Sequence, residues 1–298
     1  MRIKLTFLIL TIVLTWACNV PEEQTINLYE QNWIHGSENC DTNTDPPIQV
    51  VRYNTNTWIL RQNKCINYEA PFMFLFIGED KALLMDTGAT EEADKFPLYE
   101  VVNDILKTWS KENVEVELVV AQTHKHGDHY AADGQFMGQP NTEVVGLEVN
   151  EVAEFFNIQH WPADIVAFDL GNRLMDIIPI PGHQAAAIAL YDHSTKILLT
   201  GDSFYPGRLY VKDWEAFRAS TERLVEFSKD HEISVILGNH IEMSEAPGVD
   251  YPMGTSYQPN EHVLPLEFED LQELSVALKQ LGDKPTMEVH DSFIIFPV

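Results

Sequence analysis

The stretch His124-Lys125-His126-Gly127-Asp128-His129 places three imidazoles and one carboxylate within six residues. It directly follows Val119-Val120-Ala121, an apolar run that predicts the end of a β-strand. Imidazoles and carboxylates together are the ligands that zinc and similar divalent metals take in proteins. The stretch therefore predicts a metal site at a strand end, and it is far more specific than an isolated pair of histidines.

Polar residues of the same kinds follow four other apolar runs along the chain. They are Asp86, His183, Asp202 and His240. If these runs are neighbouring strands, their C-terminal ends meet at one edge, where loops carry polar groups above an apolar core. A lone histidine after a strand is more often structural, so the histidine run is what favours a ligand role for His183 and His240.

Seven residues are candidate ligands, and they divide into two sets that each hold one ion. The first set is made of imidazoles alone: His124, His126 and His183. The second set includes carboxylates: Asp128, His129 and His240, with Asp202 bridging the two ions. His124 and His126 face one side of extended backbone because they are two residues apart. Each ion keeps an open position for a shared water, as a catalytic site requires.

The order of these motifs resembles that of the metallo-β-lactamase fold superfamily of hydrolases. The shared motifs are His-x-His-x-Asp-His at 124–129, Gly-His at 182–183, the aspartate at 202 and Gly-Asn-His at 238–240. The turn Leu-Met-Asp-Thr-Gly at 84–88 matches as well, and the resemblance covers residues 48–298. It implies an α+β, or mixed α/β, fold: a four-layer αββα sandwich of two mixed β-sheets flanked by helices. It also implies two divalent metal ions, usually Zn²⁺, held by the two ligand sets given above.

The resemblance further assigns roles to two aspartates. Asp86 matches a residue that supports a metal-binding histidine from behind through hydrogen bonding; the alternative is that it only caps a turn. A divalent metal lowers the pKa of bound water, so we expect a hydroxide between two ions to attack a polarised carbonyl. Asp128 then serves as the catalytic proton carrier to the leaving atom. The predicted function is a metal-dependent, di-zinc hydrolase of ester, lactone, thioester or amide bonds.

The substrate is less constrained by sequence than the metal site is. Asp202 stands where class B β-lactamases usually carry a cysteine ligand, and the all-His/Asp set is similar to that of glyoxalase II-type thioesterases, lactonases and phosphodiesterases. A β-lactamase is therefore a less favoured alternative. Residues 204–212 follow this aspartate and are expected to overhang the site. The candidate substrate contacts there are Tyr205, Arg208, Tyr210 and Lys212. The basic pair suits a carboxylate and the tyrosines suit a carbonyl, while the alternative is that all four only pack at the rim.

Two other classes of protein remain open at this point. A di-iron redox protein has the same fold, but such relatives commonly carry a carboxylate where this chain has His126, and a flavin module usually follows. A non-catalytic metal-binding envelope lipoprotein is the second alternative. It is expected to have lost ligands, whereas the set here is complete.

The acidic composition limits the partners. Lys and Arg number 19 and Asp and Glu 46, for a formal charge of −27. Such a surface repels phosphate backbones, which excludes nucleic acid and favours a small-molecule substrate. The N-terminus reads as a leader, with Arg2 and Lys4 before an apolar run at 5–14 that is too short to span a bilayer. Cys18 after a small residue predicts lipidation.

These features predict an exported bacterial envelope lipoprotein, on the periplasmic or outer-membrane side. It is attached by a lipid on Cys18 and has no transmembrane helix. The predicted organisation is a signal peptide at 1–17, a tether with an irregular lead-in at 18–47, and a hydrolase domain at 48–298. An ordinary secretory leader is the alternative. In an oxidising compartment Cys40 and Cys65 either pair or stay free, and sequence does not decide between these.

Periodicity predicts the elements of the domain. Strands are expected at 49–53, 58–61, 72–77, 82–85, 114–121, 142–145, 173–180, 187–191, 197–199, 233–237 and 287–296. Helices are expected at 91–111, 151–156, 214–229 and 265–281, with Pro97 able to break the first. Strands and helices alternate, but hairpins interrupt the alternation, which indicates two mixed sheets between helices.

Overall fold

The computed structural model describes residues 25–110 and 116–298. The predicted signal peptide and the lipidation of Cys18 lie outside the described residues, as does the start of the strand expected at 114–121. Across the part of the chain that is described, no helix combines the length and apolar character needed to cross a membrane.

Fourteen strands and six α-helices make up the described domain. The strands are β1 (Ile48–Asn54), β2 (Thr57–Gln62), β3 (Phe72–Ile77), β4 (Lys81–Met85), β5 (Glu117–Ala121), β6 (Thr142–Val144), β7 (Val166–Asp169), β8 (Leu174–Pro179), β9 (Ile188–Asp192), β10 (Ile197–Gly201), β11 (Arg208–Val211), β12 (Val235–Gly238), β13 (Glu288–Val289) and β14 (Ile294–Pro297). The helices are α1 (Leu98–Trp109), α2 (Gly127–Tyr130), α3 (Asp133–Phe136), α4 (Val149–Phe155), α5 (Trp214–Phe227) and α6 (Phe268–Leu281).

The strands form two large mixed sheets and one small one. The first sheet has the order β1-β2-β3-β4-β5-β6, the second β12-β10-β9-β8-β7, and the third β11-β14-β13. Strand pairs β4–β5 and β10–β12 are parallel, while hairpins supply antiparallel neighbours. This is the mixed arrangement that the interrupted alternation predicts.

Three clusters of buried side chains pack between the layers of the fold. One lies between the two large sheets and includes Phe74 and Leu199. Another lies between the second sheet and helices α5 and α6, around Phe217 and Leu274. The third packs α1 on the outer face of the first sheet, with Val102 at its centre. Strand β3 is buried along its whole length because both faces of its sheet are covered. The predicted αββα sandwich is therefore confirmed.

Several element boundaries differ from the sequence prediction. Helix α1 begins at Leu98 and not at 91, because Pro97 has no N–H to donate and would lie in the interior of a helix that began at 91. The strand expected at 287–296 is a hairpin, whose turn is closed by the N–H of His290 donating to the carbonyl of Phe293. Strands β7 and β11 were not predicted.

One buried arginine connects the two large sheets at the edge where β3 and β9 end. Arg173 donates to both carboxylate oxygens of Asp192, at 3.2 and 2.6 Å. It also donates to Thr57 Oγ1 at 2.6 Å and to the carbonyl of Ile77 at 3.2 Å. The acceptors come from β2 and β3 of the first sheet and from β9 of the second. A buried ion pair with every partner in place fixes the sheet separation at this edge.

The predicted lead-in packs against the domain from residue 25 onward. Leu28 and Trp33 belong to the cluster between the sheets. A disulfide joins Cys40 to Cys65, so of the two alternatives left open by the sequence the two cysteines are paired and not free. It connects the lead-in to the loop after β2.

Loss of this disulfide is expected to destabilise the domain. The bond closes a loop with a sequence separation of 25. The double variant Cys40→Ala/Cys65→Ala should lower the free energy of unfolding by about 3 kcal/mol, because the unfolded chain regains loop entropy. Urea unfolding measures it, and wild type in reductant should match the variant. Equal unfolding midpoints with and without reductant would contradict the expectation.

Candidate metal centre

The candidate ligands lie in loops that follow the C-terminal ends of strands. Because β4–β5 and β10–β12 are parallel pairs, their C-terminal ends meet at one edge. The residues carried there are Asp86 after β4, His124 after β5, His183 after β8, Asp202 after β10 and His240 after β12. Helix α2 begins within the histidine run and adds Asp128 and His129. The structure thus brings all seven candidate ligands, and Asp86, to one edge of the sandwich.

The first ligand set is a triangle of imidazole nitrogens. Nε2 of His124 lies 2.9 Å from Nδ1 of His126 and 3.2 Å from Nε2 of His183. The third side, from Nδ1 of His126 to Nε2 of His183, measures 3.0 Å. Two nitrogens bound to one tetrahedral zinc ion at about 2.0–2.1 Å lie roughly 3.3 Å apart. The triangle therefore has close to the size that one metal ion requires.

Hydrogen bonding and burial prepare these imidazoles to bind a cation. Nδ1 of His183 lies 2.8 Å from the carbonyl of Tyr210, so it donates its proton there and leaves a lone pair on Nε2. Burial lowers the pKa of His124, His126 and His183, to about 4 for His126. The three rings are thus neutral at neutral pH, which is the form that binds metals.

The second ligand set combines carboxylate and imidazole atoms. Oδ2 of Asp128 lies 3.4 Å from Nε2 of His129 and 3.3 Å from Nε2 of His240. Asp202 extends over both sets. Its Oδ2 is 3.4 Å from Nε2 of His129 and 3.8 Å from Nε2 of His124, and its Oδ1 is 3.5 Å from Nε2 of His240. Nδ1 of His240 donates to the carbonyl of Glu69, which leaves its Nε2 lone pair facing the set.

Electrostatics at the second set favour positive charge. Burial acts to lower the pKa of His129 and His240, but Asp202 and Asp128 outweigh it and raise both, to about 9 for His240. Burial acts to raise the pKa of the two carboxyls, and the adjacent imidazoles outweigh it in turn, lowering the pKa of each well below its usual range. The same field that holds protons on these imidazoles attracts a divalent cation.

One buried atom tests whether a metal fits this site. Oδ1 of Asp202 is buried and, within the described residues, has no hydrogen-bond partner. A buried carboxylate oxygen without a hydrogen bond carries a desolvation cost that a bound cation would offset. The donor set of five imidazoles and two carboxylates, in two groups of metal-binding size, suits a pair of divalent transition-metal ions. The residues present therefore fit the metals that the resemblance implies.

Asp86 lies beneath both sets and holds their loops together. Its Oδ1 accepts from the N–H of Thr123 at 2.7 Å, and its Oδ2 accepts from Nδ2 of Asn239 at 2.6 Å. Nδ1 of His129 lies 3.6 Å from Oδ2. The backbone of Asp86 has a φ of 67°, in the left-handed region that aspartate and asparagine tolerate better than most residues. This carboxylate therefore faces a candidate metal-binding histidine and also connects loops of both sheets.

Two of the four predicted substrate contacts are occupied by partners in the protein. The hydroxyl of Tyr205 donates to the carbonyl of Arg208 at 2.6 Å, and the ring is buried. The Arg208 guanidinium pairs with Glu242 at 3.1 Å and with Asp250 at 2.6 Å, and also donates to a backbone carbonyl. These contacts favour the packing alternative for both residues, because an arginine already paired with two carboxylates is not free to hold an anion.

The other two predicted contacts line the cleft and are not fully buried. Tyr210 and Lys212 line a cleft of about 410 Å³ beside the ligand sets. Nζ of Lys212 lies 3.3 Å from Nε2 of His126, and the residue is exposed at the mouth. Both remain accessible to a bound molecule.

Sequence reasoning missed a part of the cleft that comes from the loop after β2. Lys64, Tyr68 and Glu69 line it. Burial and the nearby Arg61 lower the pKa of Lys64 to about 8. β2 and β4 run in the same direction, since both are antiparallel to β3. The rule that located the metal ligands at strand ends would therefore have identified this loop too.

Fold and site together define a protein of the αββα sandwich class, with two candidate metal-ligand sets at one edge of its two mixed sheets. The family model of the metallo-beta-lactamase superfamily matches residues 69–235, more than half of the chain. The chain belongs to this superfamily.

Curated relatives and solved structures agree with this assignment. A hydroxyacylglutathione hydrolase of Rhizobium meliloti is 26% identical over 114 residues, covering 37% of this chain and 44% of that protein. The human acyl-coenzyme A thioesterase MBLAC2 is 26% identical over 178 residues, covering 53% and 61%. The matched regions thus span about half of these relatives. The structure of TMB-1 matches with a TM-score of 0.54 at 14% identity, over 79% of this chain and 99% of that one, and shows a shared fold.

Replacing Asp86 tests its role in holding the loops. Asp86→Asn keeps a residue that tolerates this backbone, but its amide nitrogen then opposes the amide of Asn239 or the N–H of Thr123. The free energy of unfolding should fall by about 3 kcal/mol, since buried donors lose their acceptor. Urea unfolding in the presence of a chelator isolates this effect from metal binding. The exposed control Asp94→Asn should stay within about 0.5 kcal/mol of wild type; equal losses in both variants would remove the special role of Asp86.

A second buried carboxyl near this loop makes stability depend on pH. Oδ1 of Asp133 accepts from Thr87 and Gln122, and burial raises the pKa of Asp133 from 3.8 to about 6. Between these values the folded state binds more protons than the unfolded chain, so stability contributed by Asp133 falls as pH rises through this window. Asp133→Asn removes the ionisation and keeps the Oδ1 acceptor.

The expected result is a pH-dependent difference between the two proteins. The free energy of unfolding of Asp133→Asn, relative to wild type, should rise by about 2–3 kcal/mol from about pH 4 to about pH 7. Chemical unfolding across this range measures it, with Asp94→Asn as the exposed control. A difference that stays constant with pH would show that Asp133 ionises normally.

Proposed function

We propose that this protein is a metal-dependent hydrolase with two Zn²⁺ ions that cleaves an acyl bond of a small molecule. An ester, lactone, thioester or amide bond suits such a site, and the names of the two relatives favour a thioester. The observation that carries the proposal is the pair of ligand sets with Asp202 between them, whose Oδ1 has no hydrogen-bond partner among the described residues. A carboxylate placed between the two sets could contribute an oxygen to an ion in each of them.

The residues of the two sets have distinct tasks in this proposal. His124, His126 and His183 hold one ion, and Asp128, His129 and His240 hold the other, with Asp202 between them. When bound, the metals supply an acidified water and polarise the scissile carbonyl. Asp128 is the candidate proton carrier, because its side chain is partly exposed and lines the cleft while the imidazoles behind it are buried.

The cleft supplies contacts for the rest of the substrate. Three basic side chains lie in its described lining: Lys64, Arg208 and Lys212. Arg208 is paired with two carboxylates, and Lys64 donates to the carbonyl of Tyr68 at 3.2 Å. Lys212 at the mouth is therefore the side chain best placed to meet an anionic group of the substrate, and Tyr210 is placed beside it.

The proposal extends to where the enzyme works. We propose export to the bacterial envelope with a lipid on Cys18, as the leader predicts. The Cys40–Cys65 disulfide supports this placement, because structural disulfides persist in oxidising compartments and are rare in the cytosol.

A hydrolysis panel with a metal series tests the proposal. The purified protein is assayed on acyl thioesters, simple esters, lactones and a β-lactam amide, after chelation and again after addition of Zn²⁺. Activity on at least one acyl substrate should vanish with the chelator and return with zinc, with two bound ions counted by mass spectrometry. Full ion occupancy without turnover on the whole panel would support the metal-binding alternative in place of the enzyme.

Asp128→Asn tests both proposed roles of Asp128, and counting the bound ions by mass spectrometry tells loss of a ligand from loss of the proton carrier. The kcat/KM of the variant should fall by about 10²–10⁴-fold, because the group that carries the proton is lost. Asp133→Asn is the matched control, since it changes a buried aspartate five residues along that does not line the cleft. Equal activity in Asp128→Asn and wild type would remove Asp128 from the mechanism.

A further inference from the structure

A third group of metal-binding side chains lies apart from the cleft, between the second sheet and helix α5. It consists of Asp176, His193 and His231. His193 directly follows the last residue of β9, and Asp176 lies within β8, upstream of the strand end that carries His183. We propose that these three side chains bind a further divalent transition-metal ion, of the Zn²⁺, Ni²⁺ or Cu²⁺ class. This site is independent of the proposed hydrolase centre.

The strand register places two of the three side chains on one face. Asp176 pairs with Tyr191 between β8 and β9, and the N–H of His193 donates to the carbonyl of Leu174. Residues two apart on a strand face the same side of the sheet, and so do residues directly opposite each other on paired strands. The side chains of Asp176 and His193 therefore lie on the same face. His231 reaches this side from the end of α5, where its ring stacks on Phe227 at 3.8 Å between centroids. Three separate segments thus converge at one point.

The donor atoms are spaced as one ion requires. Nε2 of His193 lies 2.7 Å from Oδ2 of Asp176, and Nε2 of His231 lies 3.9 Å from the same oxygen. All three donor atoms are within 4.8 Å of one another.

The hydrogen bonding of His231 shows why a cation suits the cluster. Its Nδ1 lies 2.9 Å from the carbonyl of Phe227 and so carries the ring proton. In the neutral ring, Nε2 then presents a lone pair toward the carboxylate of Asp176. Two acceptors face each other there, and a metal ion between them satisfies both. The surface pair His160–Asp164 contains only one imidazole, so it lacks the second nitrogen ligand that the cluster offers to an ion.

The donor types select the class of ion. Two imidazoles and one carboxylate suit zinc, nickel and copper, whereas calcium and magnesium take oxygen ligands. The side chain of His193 is 35% exposed, so water can complete the coordination and an ion can enter from solvent. A bound ion would join β8, the β9–β10 turn and the end of α5.

Counting ions in matched variants tests the site without reference to activity. Wild type, His193→Ala and His160→Ala are equilibrated with the same series of free Zn²⁺ concentrations, and bound zinc is measured by mass spectrometry. Wild type should bind one ion more than His193→Ala, and His160→Ala should match wild type. Equal counts in wild type and His193→Ala overturn the proposal, whatever the cleft binds.

A second variant and a local measurement guard against an effect on folding. Asp176→Asn keeps an oxygen that accepts from His193 but loses the charge, and it should also bind one ion fewer. Added Zn²⁺ should slow hydrogen exchange at residues 228–233 in wild type and not in either variant. Zinc protection there that persists in His193→Ala and Asp176→Asn would overturn the site. Hydrolysis by His193→Ala should equal that of wild type, which keeps this test separate from the proposed function.

Discussion

The carboxylate of Asp86 is the contact on which the geometry of the metal edge depends. It accepts from Thr123, which directly precedes His124, and from Asn239, which directly precedes His240. One carboxylate therefore positions the residue before a ligand of each set, in loops that belong to different sheets. Because both of its oxygens are used and its backbone adopts a left-handed conformation, Asp86 cannot shift without moving both loops.

The two ligand sets that rest on Asp86 differ in charge. The set of His124, His126 and His183 is neutral and is held by burial and by a hydrogen bond to backbone. The other set includes Asp128, and Asp202 lies between the two. A dication bound at the neutral set would meet little compensating charge apart from Asp202, so this carboxylate would contribute to both positions. The arrangement makes Asp202 the electrostatic link between them.

Much of the fold and of the metal edge could be predicted from the sequence, and for a clear reason. Imidazole and carboxylate residues that follow buried strands are scarce, and parallel strands send their ends to one edge, so local patterns were sufficient. The ion pairing of Arg208 could not be predicted, because its partners Glu242 and Asp250 lie far along the chain and no local sequence pattern marks them. Strand β11 was missed for a similar reason: it pairs with β14 near the end of the chain.

The packing of the lead-in could not be predicted from local sequence patterns either. Residues 25–47 are polar in sequence and resemble a linker, yet Leu28 and Trp33 are buried between the sheets. Single apolar side chains in a polar segment carry no periodicity, so only the tertiary structure reveals where they pack.

Arg173 and Asp86 lie at opposite edges of the same sandwich, and together they close it at both ends. The arginine joins β2, β3 and β9, and the aspartate joins the loops after β5 and β12. Contacts at both edges therefore oppose a hinge motion that would separate the two large sheets. A molecule that binds in the cleft therefore enters and leaves past the surrounding loops, whose side chains control access while the packed sheets behind them stay in place.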